Sequence, residues 1–268
     1  MTAKTLMIQG TGSGVGKSIL TAAFCRYFYQ AGYKVAPFKA QNMSLNSFVT
    51  EHGEEMGRAQ VYQAEACGLK PEVLMNPILL KPSGDNNSQV IVMGKPDGSR
   101  KAKDFYSRHL KHKEIVTQAL EELRSKYELI IIEGAGSPAE INLKKTDLVN
   151  MFIAEKAEAP VLLVGDIDRG GVFAWLKGTY DLLPKNEQDR IFGFIINKFR
   201  GDLDLLQPGI EQFEKMMGKP VLGVVSYCRD LVIDEEDSVP QRFYSADKNV
   251  QEVLHVAVIE LPRMSNFT

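Results

Sequence analysis

Short apolar runs alternate with helical patterns from one end of the chain to the other. The apolar runs at residues 5–9, 34–38, 129–133, 161–165, 192–197, 221–225 and 255–261 predict strands. Between them, helices are expected near residues 17–31, 57–68, 104–126, 146–157, 172–182 and 204–217. In the third of these, Ile115, Ala119, Leu120 and Leu123 recur at helical spacing with charges between them. Strands that are apolar throughout, separated by helices, signal an α/β fold with a mostly parallel sheet and helices on both faces. Residues 77–94 break the rhythm. The runs Ile78-Leu79-Leu80 and Val90-Ile91-Val92-Met93 flank Pro82-Ser83-Gly84-Asp85-Asn86-Asn87, which reads as a hairpin-like insertion. No repeat or Gly/Ser/Pro-rich linker divides the chain, so one domain over 1–268 is expected, with an α/β core over about 1–261.

One junction stands out. The strand at 5–9 runs into Gly10-Thr11-Gly12-Ser13-Gly14-Val15-Gly16-Lys17-Ser18, which opens a helix. Such a loop lets backbone N–H groups of Gly12, Ser13, Gly14, Val15 and Gly16 face phosphates. The helix N-terminus adds its positive dipole end, Lys17 neutralises β/γ charge, and Ser18 is placed to hold Mg²⁺. The usual spacing has four residues between the first glycine and Gly-Lys; here five separate Gly10 from Gly16. The pattern predicts binding of a nucleoside triphosphate.

Other polar groups fall at the C-terminal ends of strands, where open α/β sheets place ligands. Lys39 follows the second strand and could reach a transferred phosphoryl group from the side opposite Lys17. Nearby Gln41, Asn42 and Asn46 either orient oxygen-rich substrate groups or form an Asx-rich capping loop. Glu55 reads equally as a Mg²⁺ ligand or as an acid favoured at a helix opening. Glu133 ends the run Leu129-Ile130-Ile131-Ile132 and precedes Gly134-Ala135-Gly136, a pattern that puts a carboxylate beside the phosphate loop. The loop that follows, with Ser137, Glu140 and Asn142, lies on the same edge and could meet an acceptor substrate. Asp166 and Arg169 sit in a turn that either contacts an anion or substrate or is a plain glycine-rich turn. Asn197 ends another strand, where its amide can read a purine edge. Arg200 stands where GTPases carry their guanine-selecting aspartate, which favours ATP.

The chain has 268 residues, 44% hydrophobic and 25% charged, with a formal net charge of −2, enough apolar content for a substantial core and no charge bias toward nucleic acid. Cys25, Cys67 and Cys228 are scattered without a CxxC pair, and no leader or bilayer-length apolar run is present. A cytoplasmic protein without nucleic-acid or membrane partners is expected. The four histidines make no metal spacing, and no Gly-x-Ser-x-Gly elbow supports covalent catalysis.

The phosphate loop together with Pro37-Phe38-Lys39-Ala40-Gln41-Asn42-Met43-Ser44-Leu45-Asn46-Ser47, Glu55-Met56-Gly57-Arg58-Ala59-Gln60, Glu133-Gly134-Ala135-Gly136-Ser137-Pro138-Ala139-Glu140-Ile141-Asn142 and Gly165-Asp166-Ile167-Asp168-Arg169-Gly170-Gly171 resembles the cobyric acid synthase family. The synthetase half of that family is similar to dethiobiotin synthetase, a P-loop NTPase fold. The resemblance implies ATP- and Mg²⁺-dependent amidation of the b, d, e and g carboxylates of adenosylcobyrinic acid a,c-diamide through acyl phosphates, in cobalamin synthesis. It also implies that Lys17 and Lys39 flank the γ-phosphate, that Ser18, Glu55 and Glu133 hold Mg²⁺, and that Asn197 contacts adenine. Family members continue past Pro-Arg-x-Ser-Asn-Phe into a glutaminase domain that supplies ammonia. Here the chain stops at Thr268, so residues 262–268 are expected to begin a junction to a missing domain, and a homodimer is left open. Rival readings are cobyrinic acid a,c-diamide synthase, which resembles Gly-Pro-Asp where this chain has Ala-Gln-Asn-Met-Ser, and a switch ATPase of the partitioning type, whose extra early lysine is replaced by Thr11 and Gly12.

Overall fold

Alternate residues of the core strands feed two separate apolar clusters, one on each side of a central sheet. The computed structural model describes residues 2–83, 87–101 and 107–229. In chain order the first elements are β1 (Lys4–Gly10), α1 (Lys17–Gln30), β2 (Val35–Phe38), β3 (Gln41–Met43), β4 (Ser47–Val49), β5 (Glu55–Gly57), α2 (Arg58–Ala66), β6 (Ile78–Pro82), β7 (Asn87–Val92) and β8 (Lys95–Lys101). Then follow α3 (His109–Lys126), β9 (Leu129–Glu133), α4 (Met151–Lys156), β10 (Val161–Asp166), α5 (Val172–Asp181), α6 (Lys185–Gln188), β11 (Ile191–Phe199), α7 (Leu203–Met217) and β12 (Val221–Ser226).

The main sheet has the order β12-β11-β10-β1-β9-β2, and every pairing in it is parallel. Met7, Ile130, Ile132, Val161, Leu163, Phe194 and Ile196 pack on one side with residues of α3, α4, α5 and α7. Ile8, Leu129, Ile131, Leu162, Val164 and Ile195 point the other way, to Leu20 and Cys25 of α1. The period of two along each strand thus needs helices on both faces, as the sequence predicts. Gly165 shows how close one helix comes: a Cβ there would lie 2.7 Å from a methyl carbon of Val172.

The insertion is larger than a hairpin. Strands β6 and β7 pair antiparallel, as expected, but β8 extends them on one side and β3 pairs parallel with β6 on the other, giving a four-stranded sheet. A ribbon of β4 and β5 stands beside it. Polar sequences such as Gln41-Asn42-Met43 and the heptapeptide of β8 carry no strand period, so only their pairing makes them strands. The helix expected over 146–157 begins at Met151 instead. Asp147 accepts hydrogen bonds from the backbone N–H groups of Val149, Asn150 and Phe152, which diverts the chain before the helix starts. The strand expected at 255–261, the junction at 262–268 and residues 104–106 of the third helix lie outside the described residues. Among the described residues no helix is long and apolar enough to cross a membrane.

Candidate functional site

The phosphate loop joins β1, at the middle of the sheet, to α1. Gly16 caps α1 at φ 97°, and no side chain caps the helix, so its first N–H groups face the loop. Glycine is required at position 16 twice over: the backbone is left-handed, and a Cβ would sit 2.2 Å from Nδ2 of Asn197. Lys17 turns its Nζ into the loop, donating to the carbonyl of Gly12 at 2.7 Å and to that of Gly136 at 3.1 Å. It therefore bridges the phosphate loop and the loop after β9.

Glu133 is the centre of the polar cluster. It ends β9, beside β1, with its side chain 1% exposed. Its Oε1 accepts from Lys39 Nζ at 2.9 Å and from Ser18 Oγ at 2.8 Å. Its Oε2 accepts from Gln63 Nε2 at 2.6 Å and from Gln60 Nε2 at 3.5 Å. Burial alone pushes this carboxyl up. The Lys39 ammonium, with hydrogen bonds from Lys39, Gln63 and Ser18, outweighs it and holds the group below the ordinary glutamate value. A charged, buried carboxylate therefore faces the first turn of α1.

Two asparagines fix the segments that deliver these groups. Asn150 accepts from Ala135 N–H and donates to Ala135 carbonyl at 2.7 Å, gripping the turn after Glu133. Asn76 donates to the carbonyls of Lys39 and Ile78 and accepts from Gly57 N–H, tying β2, β6 and the start of α2 together. Neither residue was singled out from sequence, nor was Gln63. The signal available was a pair of glutamines three apart on the buried face of α2, among Ala59, Val61 and Ala64.

The remaining expected residues fall into four groups. At the end of β11, Asn197 donates to the Val15 carbonyl at 2.8 Å, and Lys198 donates to the Gly14 carbonyl at 2.6 Å and to Asp166 at 2.9 Å. Asp166 is thus neutralised from beneath the loop, while the exposed Arg169 reaches over it, its Nη2 lying 3.5 Å from a Cβ position on Gly14. Gln41, Ser137 and Glu140 line one cleft with Ala135, Lys144 and Asn150, and Asn142 is exposed on the same loop. Asn42 and Asn46, by contrast, are buried within the segment that connects β2 to α2. Glu55 differs from its expected setting. It lies in β5, not at a helix opening, and its carboxylate accepts from Ser47 and from Lys81 at 2.7 Å.

A parallel sheet whose central strand delivers a glycine-rich loop and lysine to an uncapped helix, next to an acid closing the adjacent strand, defines a P-loop nucleotide-binding protein. The chain belongs to the CobQ/CobB/MinD/ParA nucleotide binding domain family, whose model matches residues 6–240. The cobyric acid synthase of Desulforamulus reducens is 56% identical over 269 residues, covering 99% of this chain and 52% of that protein. The cobyric acid synthase of Sorangium cellulosum is likewise 56% identical over 269 residues, covering 100% of this chain and 52% of its own length. The chain therefore spans about half the length of these curated relatives. Among solved structures, the signal recognition particle receptor FtsY of Elizabethkingia anophelis aligns at a TM-score of 0.49 and 16% identity, over 88% of this chain and 61% of that one. The MinD cell division protein of Aquifex aeolicus aligns at 0.48 and 15%, over 86% and 85%.

The donors at Glu133 suit a small hard cation. Ser18 Oγ and Glu133 Oε1 are both oxygens, already within 2.8 Å of each other, and the carboxyl is held ionised. Two protein oxygens are few for a metal cage, but Mg²⁺ ordinarily takes one or two protein groups and completes its shell with phosphate and water.

Proposed function

We propose that this chain is the ATP-dependent synthetase part of a cobyric acid synthase. It would amidate the b, d, e and g side-chain carboxylates of adenosylcobyrinic acid a,c-diamide in cobalamin synthesis. The observation that carries this reading is the clustering of Ser18 and Lys39 on Glu133, with Lys17 of the phosphate loop bonded to the turn just after Glu133, in a chain 56% identical to a cobyric acid synthase.

A carboxylate is a poor acyl donor because an oxide is a poor leaving group. In the proposed reaction a substrate carboxylate oxygen attacks the γ-phosphorus of ATP and ADP leaves. Ammonia then attacks the acyl carbon, phosphate leaves, and a proton is released to solvent. Lys17 would exchange its two carbonyl partners for β/γ-phosphate oxygens, a stronger, charge-assisted contact. Lys39, across from it, would leave Glu133 for the transferring phosphoryl group and stabilise the charge spread over it. Ser18 and Glu133 would hold Mg²⁺, which when bound offsets triphosphate charge and aligns the γ-phosphate. Glu55 would join them only by giving up Lys81. Arg169 is close enough to the loop to meet the phosphates, and Asn197 supports the loop from behind with its amide oxygen left for the adenine.

The cleft of Gln41, Ser137 and Glu140, with Asn142 on its rim, is the proposed seat of the acceptor carboxylate. Asn42 and Asn46 would shape its surroundings rather than touch substrate, and Asp166, paired with Lys198 under the phosphate loop, would position that loop. Longer relatives would supply ammonia from glutamine through a further domain, to which residues 262–268 would lead. The free thiols of Cys25 and Cys67, buried in the fold, suit a cytoplasmic setting.

The test is Mg-ATP with ammonium, with and without the corrinoid diamide, following phosphate release and amide formation by mass. Corrinoid-dependent ADP formation with successive amidation is expected. ATP turnover indifferent to the corrinoid, with no amide formed, overturns the proposal. Glutamine in place of ammonium should give no product with this chain alone.

A further inference from the structure

Helix α2 buries two primary amides where packing alone calls for apolar side chains. Gln60 and Gln63 are both fully buried, one helical turn apart, on the face that also carries Ala59, Val61 and Ala64. The Oε1 atom of each is buried with no hydrogen-bond donor among the described residues. Such oxygens are costly in a core, so the two amides are unfavourable as mere filling. Their nitrogens account for them. Both Nε2 groups converge on Glu133 Oε2, at 2.6 Å from Gln63 and 3.5 Å from Gln60. Gln63 also donates to the main-chain oxygen of Ser18 at 3.2 Å.

We infer that Gln63, supported by Gln60, is a positioning residue that orients the Glu133 carboxylate and the Ser18 turn for a divalent cation on the phosphates. The inference rests on the nucleotide-binding reading above and names residues that touch neither substrate nor phosphate. The two carboxylate oxygens have different company. Oε1 meets Lys39 and Ser18, partners that can be exchanged when phosphate and cation arrive. Among the described residues Oε2 meets only neutral donors, both from one helix. An amide fixes the carboxylate plane without adding a positive charge that would repel the cation, which a lysine or arginine there would do. Because Gln63 also holds the main-chain oxygen of Ser18, one side chain ties together the two residues that offer the candidate oxygen ligands.

The test titrates Mg²⁺ into the chain with a fluorescent, non-hydrolysable ATP analogue, and repeats the nucleotide titration in EDTA and a thermal melt. Gln63→Met keeps length and volume but has no donor. It should raise the half-saturating Mg²⁺ concentration about tenfold. Nucleotide affinity in EDTA should stay within about twofold, and the melting temperature should fall by a few degrees at most, since the buried Glu133 carboxylate loses its closer amide donor. Gln60→Met, given the longer contact, should move Mg²⁺ dependence in the same direction and less. Gln63→Asn, a shorter amide that loses the reach, serves as the second variant if Gln63→Met does not fold. An unchanged Mg²⁺ dependence in a folded Gln63 variant overturns the inference, as does a parallel fall of EDTA affinity and melting temperature that accounts for the whole effect. A wild-type chain that binds the analogue neither with nor without Mg²⁺ instead overturns the nucleotide reading itself.

Discussion

Asn197, at the end of β11, donates its side-chain amide to the main-chain oxygen of Val15 inside the phosphate loop, across 2.8 Å. Two residues 182 positions apart thus share one hydrogen bond, and the loop's curvature depends on a strand two places away in the sheet. Asn197→Ala removes the donor and leaves a buried carbonyl, a loss of about 1–2 kcal/mol. Binding of ATP, CTP and inorganic triphosphate should all weaken, by about tenfold, with a further loss for ATP because the amide oxygen that would meet the adenine is gone as well. A loss confined to ATP, in competition titrations, would mean instead that the amide acts mainly on the base.

Gly16→Ala should be far more severe. The added Cβ meets Asn197 Nδ2 at 2.2 Å, and a left-handed backbone costs an alanine about 1–2 kcal/mol besides. Nucleotide binding should be undetectable by calorimetry. The double variant Gly16→Ala/Asn197→Ala relieves the clash but not the backbone strain, so it should recover part of the thermal stability and little of the binding.

Lys17→Ala tests the chemistry without disturbing the core. Its ammonium meets the loop carbonyls of Gly12 and Gly136, and the residue is a member of neither apolar cluster, so the melting temperature should shift by a few degrees at most. Corrinoid-dependent ATP turnover should fall by at least about 100-fold. Normal rates in this variant would remove the phosphate loop from the mechanism.

Lys39→Met should destabilise the fold, because it strands a buried carboxylate. Removing one partner of a buried ion pair costs about 3–5 kcal/mol. Adding Glu133→Gln should restore most of that loss in urea unfolding while leaving the protein inactive. An additive double variant would show that the pair is not coupled.

Acid stability follows from the same carboxylate. Burial opposes its charge, but the Lys39 ammonium and three hydrogen bonds hold the Glu133 carboxyl below its unfolded value. The stability it contributes is therefore complete above the ordinary glutamate range and is lost as pH falls through the lower, folded value. Wild type should show a steep fall in unfolding free energy below about pH 4, where glutamate ordinarily titrates. In Glu133→Gln that limb should be shallower, as read from urea melts across the acid range.

Thiol chemistry gives an independent check on the packing. Cys25 and Cys67 are buried and Cys228 is exposed. A hydrogen bond with Cys67, then burial, pushes the Cys25 thiol well above its usual value. A thiol reagent should modify one cysteine rapidly in the native protein and all three in guanidinium. Fast labelling of Cys25 would place α1 wrongly against the sheet.

Much of this protein could be read along the chain. The parallel sheet was legible because both faces of β1, β9, β10 and β11 are covered, and burial on both sides leaves an apolar run that no neighbour needs to explain. The phosphate loop was legible because its chemistry lies within nine consecutive residues, Gly10 to Ser18, held by local backbone geometry. Where function is made by contacts between distant segments, periodicity is silent. Glu133 could be named, but not that Lys39, Ser18, Gln60 and Gln63 would surround it from four separate positions. Asn150 and Asn76 gave no pattern, and Glu55 read equally as a Mg²⁺ ligand or a helix-opening acid, whereas pairing with β4 makes it part of a strand beside Lys81. Strand and helix tendencies are properties of neighbours in sequence; which carboxylate keeps its charge in a core is decided by groups that only folding brings within 3 Å.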